Sequence, residues 1–162
     1  KMVEALRLYT LWCHYEPEAE GILVAHASIH GGTKECAERI AEMLRAKGAK
    51  KVSVFDLCRD DMAEAIEDAF KYGKLVLAAA SYDGDVFPPM HFFLHKLILK
   101  GYRKRKVGII ENGTWAPSAG KAMNALLAQM KDIEIVEPLV TIKSRMKESD
   151  IPALEALAQA ML

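Results

Sequence analysis

The sequence predicts an α/β protein: a doubly wound, five-stranded parallel sheet in the order 2-1-3-4-5, with helices on both faces. Three observations carry this. Short apolar runs alternate with amphipathic stretches along the chain. The runs are nearly continuous in apolar residues, as strands buried on both faces are. Capping residues and glycines separate the two kinds of segment.

Residues 2–12 place Val3, Leu6, Leu8 and Leu11 among polar positions, a short helical pattern. Residues 14–20 are acidic, contain Pro17 and read as a linker. Ile22 to Ala27 is the first buried strand, and Ser28 to Gly32 a glycine-bearing turn. Thr33 is expected to cap a helix whose stripe is Cys36, Ala37, Ile40, Ala41 and Leu44, stopped at Gly48. Val52–Phe55 is the second strand. Asp60 or Asp61 caps a helix carrying Ala65, Ile66, Ala69 and Phe70. Leu75–Ala79 is the third strand, with a loop through Pro89 and a helix over 90–100. Lys100, Arg103, Lys104, Arg105 and Lys106 form a dense basic run, expected to be a solvated loop before strand 106–110, and a polar loop over 111–118 and a helix over 119–131 follow. Residues 133–136 and 139–142 form a fifth strand interrupted at Pro138. Ser149 or Asp150 caps a last helix over 152–161.

The chain divides into residues 1–20, a helix and linker read as the end of an upstream domain, and a single domain over 21–162. A chain of roughly 150 residues buries about two-thirds of its unfolded surface, enough for a core without staples. Hydrophobic residues make up 51% and charged residues 27%, which argues against disorder. Lys plus Arg and Asp plus Glu both total 22, so the chain is neutral and lacks the basic surface that nucleic-acid binding needs. No apolar run is long enough to span a bilayer. Cys13, Cys36 and Cys58 are far apart and odd in number, which points to a reducing compartment, the cytoplasm, rather than to disulfides or a thiolate metal site.

In a doubly wound sheet, ligands bind at the carboxyl ends of the strands beside strand 1. That nominates the loops after strands 1, 3 and 4. Ser28-Ile29-His30-Gly31-Gly32-Thr33 pairs hydroxyls with glycines, so its amides can turn toward an anion. It lacks the lysine of an ATP-type loop. Ser81-Tyr82-Asp83-Gly84-Asp85-Val86-Phe87 combines a turn signal with two aromatics, suited to enclosing a flat ring beside a freely reorienting Gly84 peptide. Asn112-Gly113-Thr114-Trp115 sets an indole among polar residues, where a ligand plane is a better explanation than a core. His91 and His95 stand at i, i+4 but lack a third ligand.

Together, Ser-x-x-Gly-x-Thr after strand 1, Ser81-Tyr82-Asp83-Gly84 with Val86-Phe87-Pro88-Pro89-Met90, and Glu111-Asn112-Gly113-Thr114-Trp115-Ala116-Pro117 resemble the flavodoxin-like domain of flavodiiron proteins (A-type flavoproteins). The resemblance covers nearly the whole chain. It implies FMN as cofactor. Ser28, Ile29, His30, Gly31, Gly32 and Thr33 would surround the phosphate. Ser81, Tyr82, Asp83 and Gly84 would line one side of the isoalloxazine, and Asn112, Gly113, Thr114 and Trp115 the other. Gly32 stands where the family usually has Asn, His30 where Tyr or Thr is commoner, and Ala80 where Pro is frequent. The family also carries a metallo-β-lactamase-like diiron domain with His-x-Glu-x-Asp ligands, which these residues do not supply. The implied partners are such a domain in cis or in a paired subunit of a homodimer, with a rubredoxin-like or reductase electron donor. A free-standing flavodoxin-type carrier or quinone reductase is the alternative, and a flavin-free scaffold a third. Free carriers of this kind are generally strongly acidic, so the neutral balance favours a tethered module.

Overall fold

The computed structural model describes all residues, Lys1–Leu162. Helix α1 (Met2–Cys13) leads into strand β1 (Ala19–Ala27), then α2 (Gly32–Ala46), β2 (Val52–Asp56), α3 (Met62–Lys71) and β3 (Tyr72–Tyr82). A two-residue strand β4 (Asp85–Val86) precedes α4 (Pro88–Leu99), β5 (Arg103–Asn112), α5 (Ala119–Leu127), β6 (Lys131–Ile142) and α6 (Ile151–Met161). Five strands pair in parallel in the order β2-β1-β3-β5-β6, and β4 pairs antiparallel with β3. Leaving out β4, this is the predicted 2-1-3-4-5 order.

The alternation of side chains along β1 splits the core in two. Leu23, Ala25 and Ala27 join a cluster with α3, α4 and α5, while Ile22 and Val24 join one with α2 and α6. Both faces of the sheet are therefore covered, which accounts for strands without polar alternation. Fully burying one such aliphatic side chain contributes roughly 1.5–3 kcal/mol.

Local chemistry sets the boundaries. Asp61 caps α3, its side chain accepting from the N–H of Ala63 at 2.8 Å. Asp60 instead accepts from the N–H of Asp56. Thr33 does not cap α2: Gly31, with φ 92°, is the capping residue, and Thr33 lies buried inside the first turn. Asp150 stands at the N-cap of α6 without a side-chain cap bond, and its carboxylate accepts instead from the N–H of Lys147. Pro88 and Pro89 open α4 two residues earlier than predicted, where proline costs no hydrogen bond. Helix α5 stops at Leu127, and β6 runs on through Pro138 as one strand, its pairing with β5 shifting register between Gly108 and Ile110.

The basic run is the largest departure from expectation. Residues 103–106 are not a solvated loop but the start of β5, and Arg105 is only 3% exposed. Its guanidinium donates to the carbonyl oxygens of Tyr72, Phe70, Arg103, Lys104 and Tyr15. Tyr15 also lies under the Arg103 guanidinium at 4.3 Å, and Lys104 Nζ donates to the His14 carbonyl. The linker is thus docked against the amino-terminal edge of the sheet. Helix α1 beyond it buries no residue and exposes Met2, Val3, Leu6, Tyr9 and Trp12.

Candidate functional site

The loops after β1, β3 and β5 converge at the carboxyl edge of the sheet around a cavity of about 390 Å³. The first contributes Ser28, Ile29, His30, Gly32 and Thr33; the second Ser81, Tyr82, Asp83 and Gly84; the third Asn112, Gly113, Thr114 and Trp115. Of the predicted residues only Gly31 stays off the wall. It shapes the loop instead, its N–H donating to Ser28 Oγ at 2.9 Å and its carbonyl accepting from Glu35.

The two helix N-termini that border the cavity differ in what their amides do. At α5, Ser81 Oγ accepts from the N–H groups of Ser118 and Ala119 at 2.9 and 3.0 Å. The buried Glu111 carboxylate accepts from Gly120 at 2.6 Å and from the Thr141 hydroxyl at 2.9 Å. At that helix start the Ala119 and Gly120 amides are satisfied from within, and only the N–H of Lys121 has no acceptor in the chain. At α2 the backbone N–H groups of Gly32, Thr33 and Lys34 have no acceptor in the chain. Orphan amides at a helix start, beside hydroxyls, can donate to an anion.

The opposite end of the cavity is aromatic. Trp115 is 95% exposed, so the fold makes no use of its indole as core. Tyr82 packs edge-on against Phe87 at 5.7 Å and still leaves about half its surface open. Between them the strand β3–β4 hairpin turns on Asp83 and Gly84, with φ of 49° and 74°. Positive φ at both central residues marks a type I′ turn. Turning the peptide between them over would put Asp83 in a region reserved for glycine, so this hairpin holds its turn rather than leaving the peptide free.

Asp83 lines the cavity, whereas Asp85 does not; the Asp85 carboxylate accepts from the N–H of Val86 at 2.6 Å. Sequence reasoning missed Ser144, in the loop after β6, which also lines the wall. Its signal was available: that loop, too, leaves the carboxyl edge of the sheet. Ala80, Ala116 and Ser118 complete the lining. No group of three or more His, Cys, Asp or Glu side chains is placed to hold a metal ion. His91 and His95 stack on each other at 6.3 Å on α4.

No family model matches the chain, and no curated protein matches it. Solved structures do. A rubredoxin oxygen:oxidoreductase from the anaerobe Desulfovibrio gigas superposes with a TM-score of 0.90 at 16% identity, over 99% of this chain and 39% of that one. The flavodiiron protein from Giardia intestinalis gives 0.83 at 17% identity, over 98% and 39%. An archaeal flavodoxin gives 0.73 at 16% identity, over 85% and 93%. The fold is flavodoxin-like. The flavodoxin-like chain spans about two-fifths of the length of the two larger proteins, and nearly the whole of the flavodoxin is covered by it. No helix is long and apolar enough to cross a membrane.

Proposed function

We propose that the chain is an FMN-binding electron-transfer domain, the flavin module of a flavodiiron-type oxygen or nitric oxide reductase. The observation that carries the reading is the two-ended cavity: orphan amides and hydroxyls at α2, exposed aromatics at the other end. A phosphorylated flavin has the matching halves. When bound, FMN supplies the capacity to take up and give back one or two electrons.

The protein's part is to bind and orient. Ser28, His30 and Thr33, with the α2 amides, would hold the phosphate. Tyr82 and Trp115 would cover the ring, and the fixed hairpin at Asp83 and Gly84 would set one edge. No general base or nucleophile is called for, so the chain is a redox module rather than a complete enzyme. The exposed free thiols of Cys13 and Cys58 suit the reducing cytoplasm.

The partner we assign is a diiron, metallo-β-lactamase-like domain, in the same polypeptide or in a paired subunit of a head-to-tail homodimer. The bare apolar residues of α1 and the docked linker behind it support the first arrangement, since a helix with this surface needs cover. A rubredoxin-like protein or a reductase would supply the electrons. The archaeal flavodoxin keeps a second reading in view, a free-standing carrier or quinone reductase.

Purified protein should be yellow and release FMN on denaturation. Absence of flavin, together with no FMN binding by titration, would defeat both redox readings and leave a flavin-free scaffold. Sequencing the gene upstream of Lys1 then separates module from carrier.

A further inference from the structure

We propose that the loop after β6 is a fourth wall of the flavin site, and that Ser144 on it sets a preference for a phosphorylated over an unphosphorylated flavin. This rests on the FMN reading above. Two juxtapositions carry it.

The first is at Gly32. Its φ is not in the left-handed region, so the backbone there does not require glycine. Space does. A Cβ on Gly32 would lie 2.1 Å from the carbonyl oxygen of Ser144 and 3.3 Å from Asn112 Nδ2. The bare Cα admits the β6–α6 loop against the start of α2, beside the orphan amides.

The second is at Asn112. Its Nδ2 donates to the Ser144 carbonyl at 2.7 Å, and its Oδ1 accepts from the Ser144 N–H at 2.9 Å. Ser144 has φ 67°, the left-handed conformation that presents both backbone groups to one amide. Asn112 therefore acts on a ligand through Ser144: it is a positioning residue.

The latched loop changes the electrostatics of the phosphate end. Lys143 and Arg145 flank Ser144, are exposed, and enter no ion pair. The cavity wall otherwise offers only the His30 imidazole and the Asp83 carboxylate as ionisable groups besides Tyr82. A phosphate at the α2 amides gains a hydroxyl and nearby positive charge from this loop, whereas a ribityl chain without phosphate gains little.

The test is titration of the whole chain with FMN and with riboflavin, read by quenching of flavin fluorescence. Gly32→Ala, which forces the loop away, is expected to weaken FMN about tenfold, or ~1.4 kcal/mol, and riboflavin by less than about twofold. Ser144→Gly keeps the left-handed turn, removes only the hydroxyl on an exposed loop, and is expected to cost FMN several-fold with riboflavin unchanged. Raising the salt should narrow the wild-type preference for FMN. An unchanged FMN-to-riboflavin ratio in both variants, or equal loss for the two flavins, overturns the latch while leaving the FMN reading intact. A wild-type chain that quenches neither flavin overturns the FMN reading, and the latch with it.

Discussion

Arg105 Nη2 donates to the carbonyl oxygen of Phe70 at 2.7 Å, joining the end of α3 to the start of β5. The same guanidinium reaches Tyr72 at the start of β3 and Tyr15 in the linker. A single buried cation thus fastens three segments through their backbones. Burial pulls its pKa down, and the surrounding carbonyls keep the charged form solvated in place of water.

Arg105→Met should therefore lower stability by about 3 kcal/mol, because the buried Tyr72 carbonyl and the half-buried ones beside it lose their donor. Urea unfolding checks this through the midpoint. Arg103→Met, whose side chain is more open and stacks on Tyr15, should cost under about 1 kcal/mol.

With FMN bound, Asp83→Asn should raise the reduction potential. A unit charge a few Å from an added electron costs on the order of 1 kcal/mol in a water-like medium, or roughly 40 mV for one electron. Asparagine tolerates the left-handed φ at this position, so the turn survives the change. Asp85→Asn, a change off the cavity wall, should move the potential much less. Spectroelectrochemical titration distinguishes them, and equal shifts would remove the special standing of Asp83.

His26 gives the fold an acid weakness. It is 2% exposed, its Nδ1 has no partner, and it borders a second cavity of about 440 Å³ between α2 and β2. Burial holds its pKa below the usual 6.5, and Lys34 acts the same way, while Asp56, Glu38 and Asp60 oppose this. The unfolded chain thus binds a proton more readily than the folded one. Stability should be full above about pH 6.5 and fall as the pH drops through the folded-state value. His26→Phe should flatten that part of the profile, measured as urea midpoints between pH 5 and 7.5.

Thiol titration should find two reactive cysteines. Cys36 is fully buried in α2, and burial pushes its pKa up to about 12, so it should stay unmodified until the chain unfolds. Cys13 and Cys58 are exposed. Reaction of all three in the native state would mean that α2 opens readily.

The sheet order and the three converging loops were legible because buried strands write continuous apolar runs and this fold binds at one edge. The turn at Asp83-Gly84 was legible too, since few dipeptides tolerate two positive φ values in succession, but the two-residue strand that makes it a hairpin, and holds its peptide, was not. What stayed hidden was contact between distant segments. Arg105 sits among four other basic residues, and nothing in a run of like charges shows which one faces inward. Gly32 looks like a lost ligand until Ser144 is seen against it, 112 positions on. Thr33 has the composition of a cap, but the left-handed Gly31 caps the helix two residues sooner.

The chain's two tryptophans lie at opposite edges of the sheet, Trp12 on α1 beside the docked linker and Trp115 on the cavity rim. Both are largely exposed. The molecule consequently carries a separate optical reporter for the cavity rim and for the exposed face of α1. Replacing Trp12 with Phe leaves an emission that follows only events at the cavity. Replacing Trp115 leaves one that follows only what comes to rest on α1.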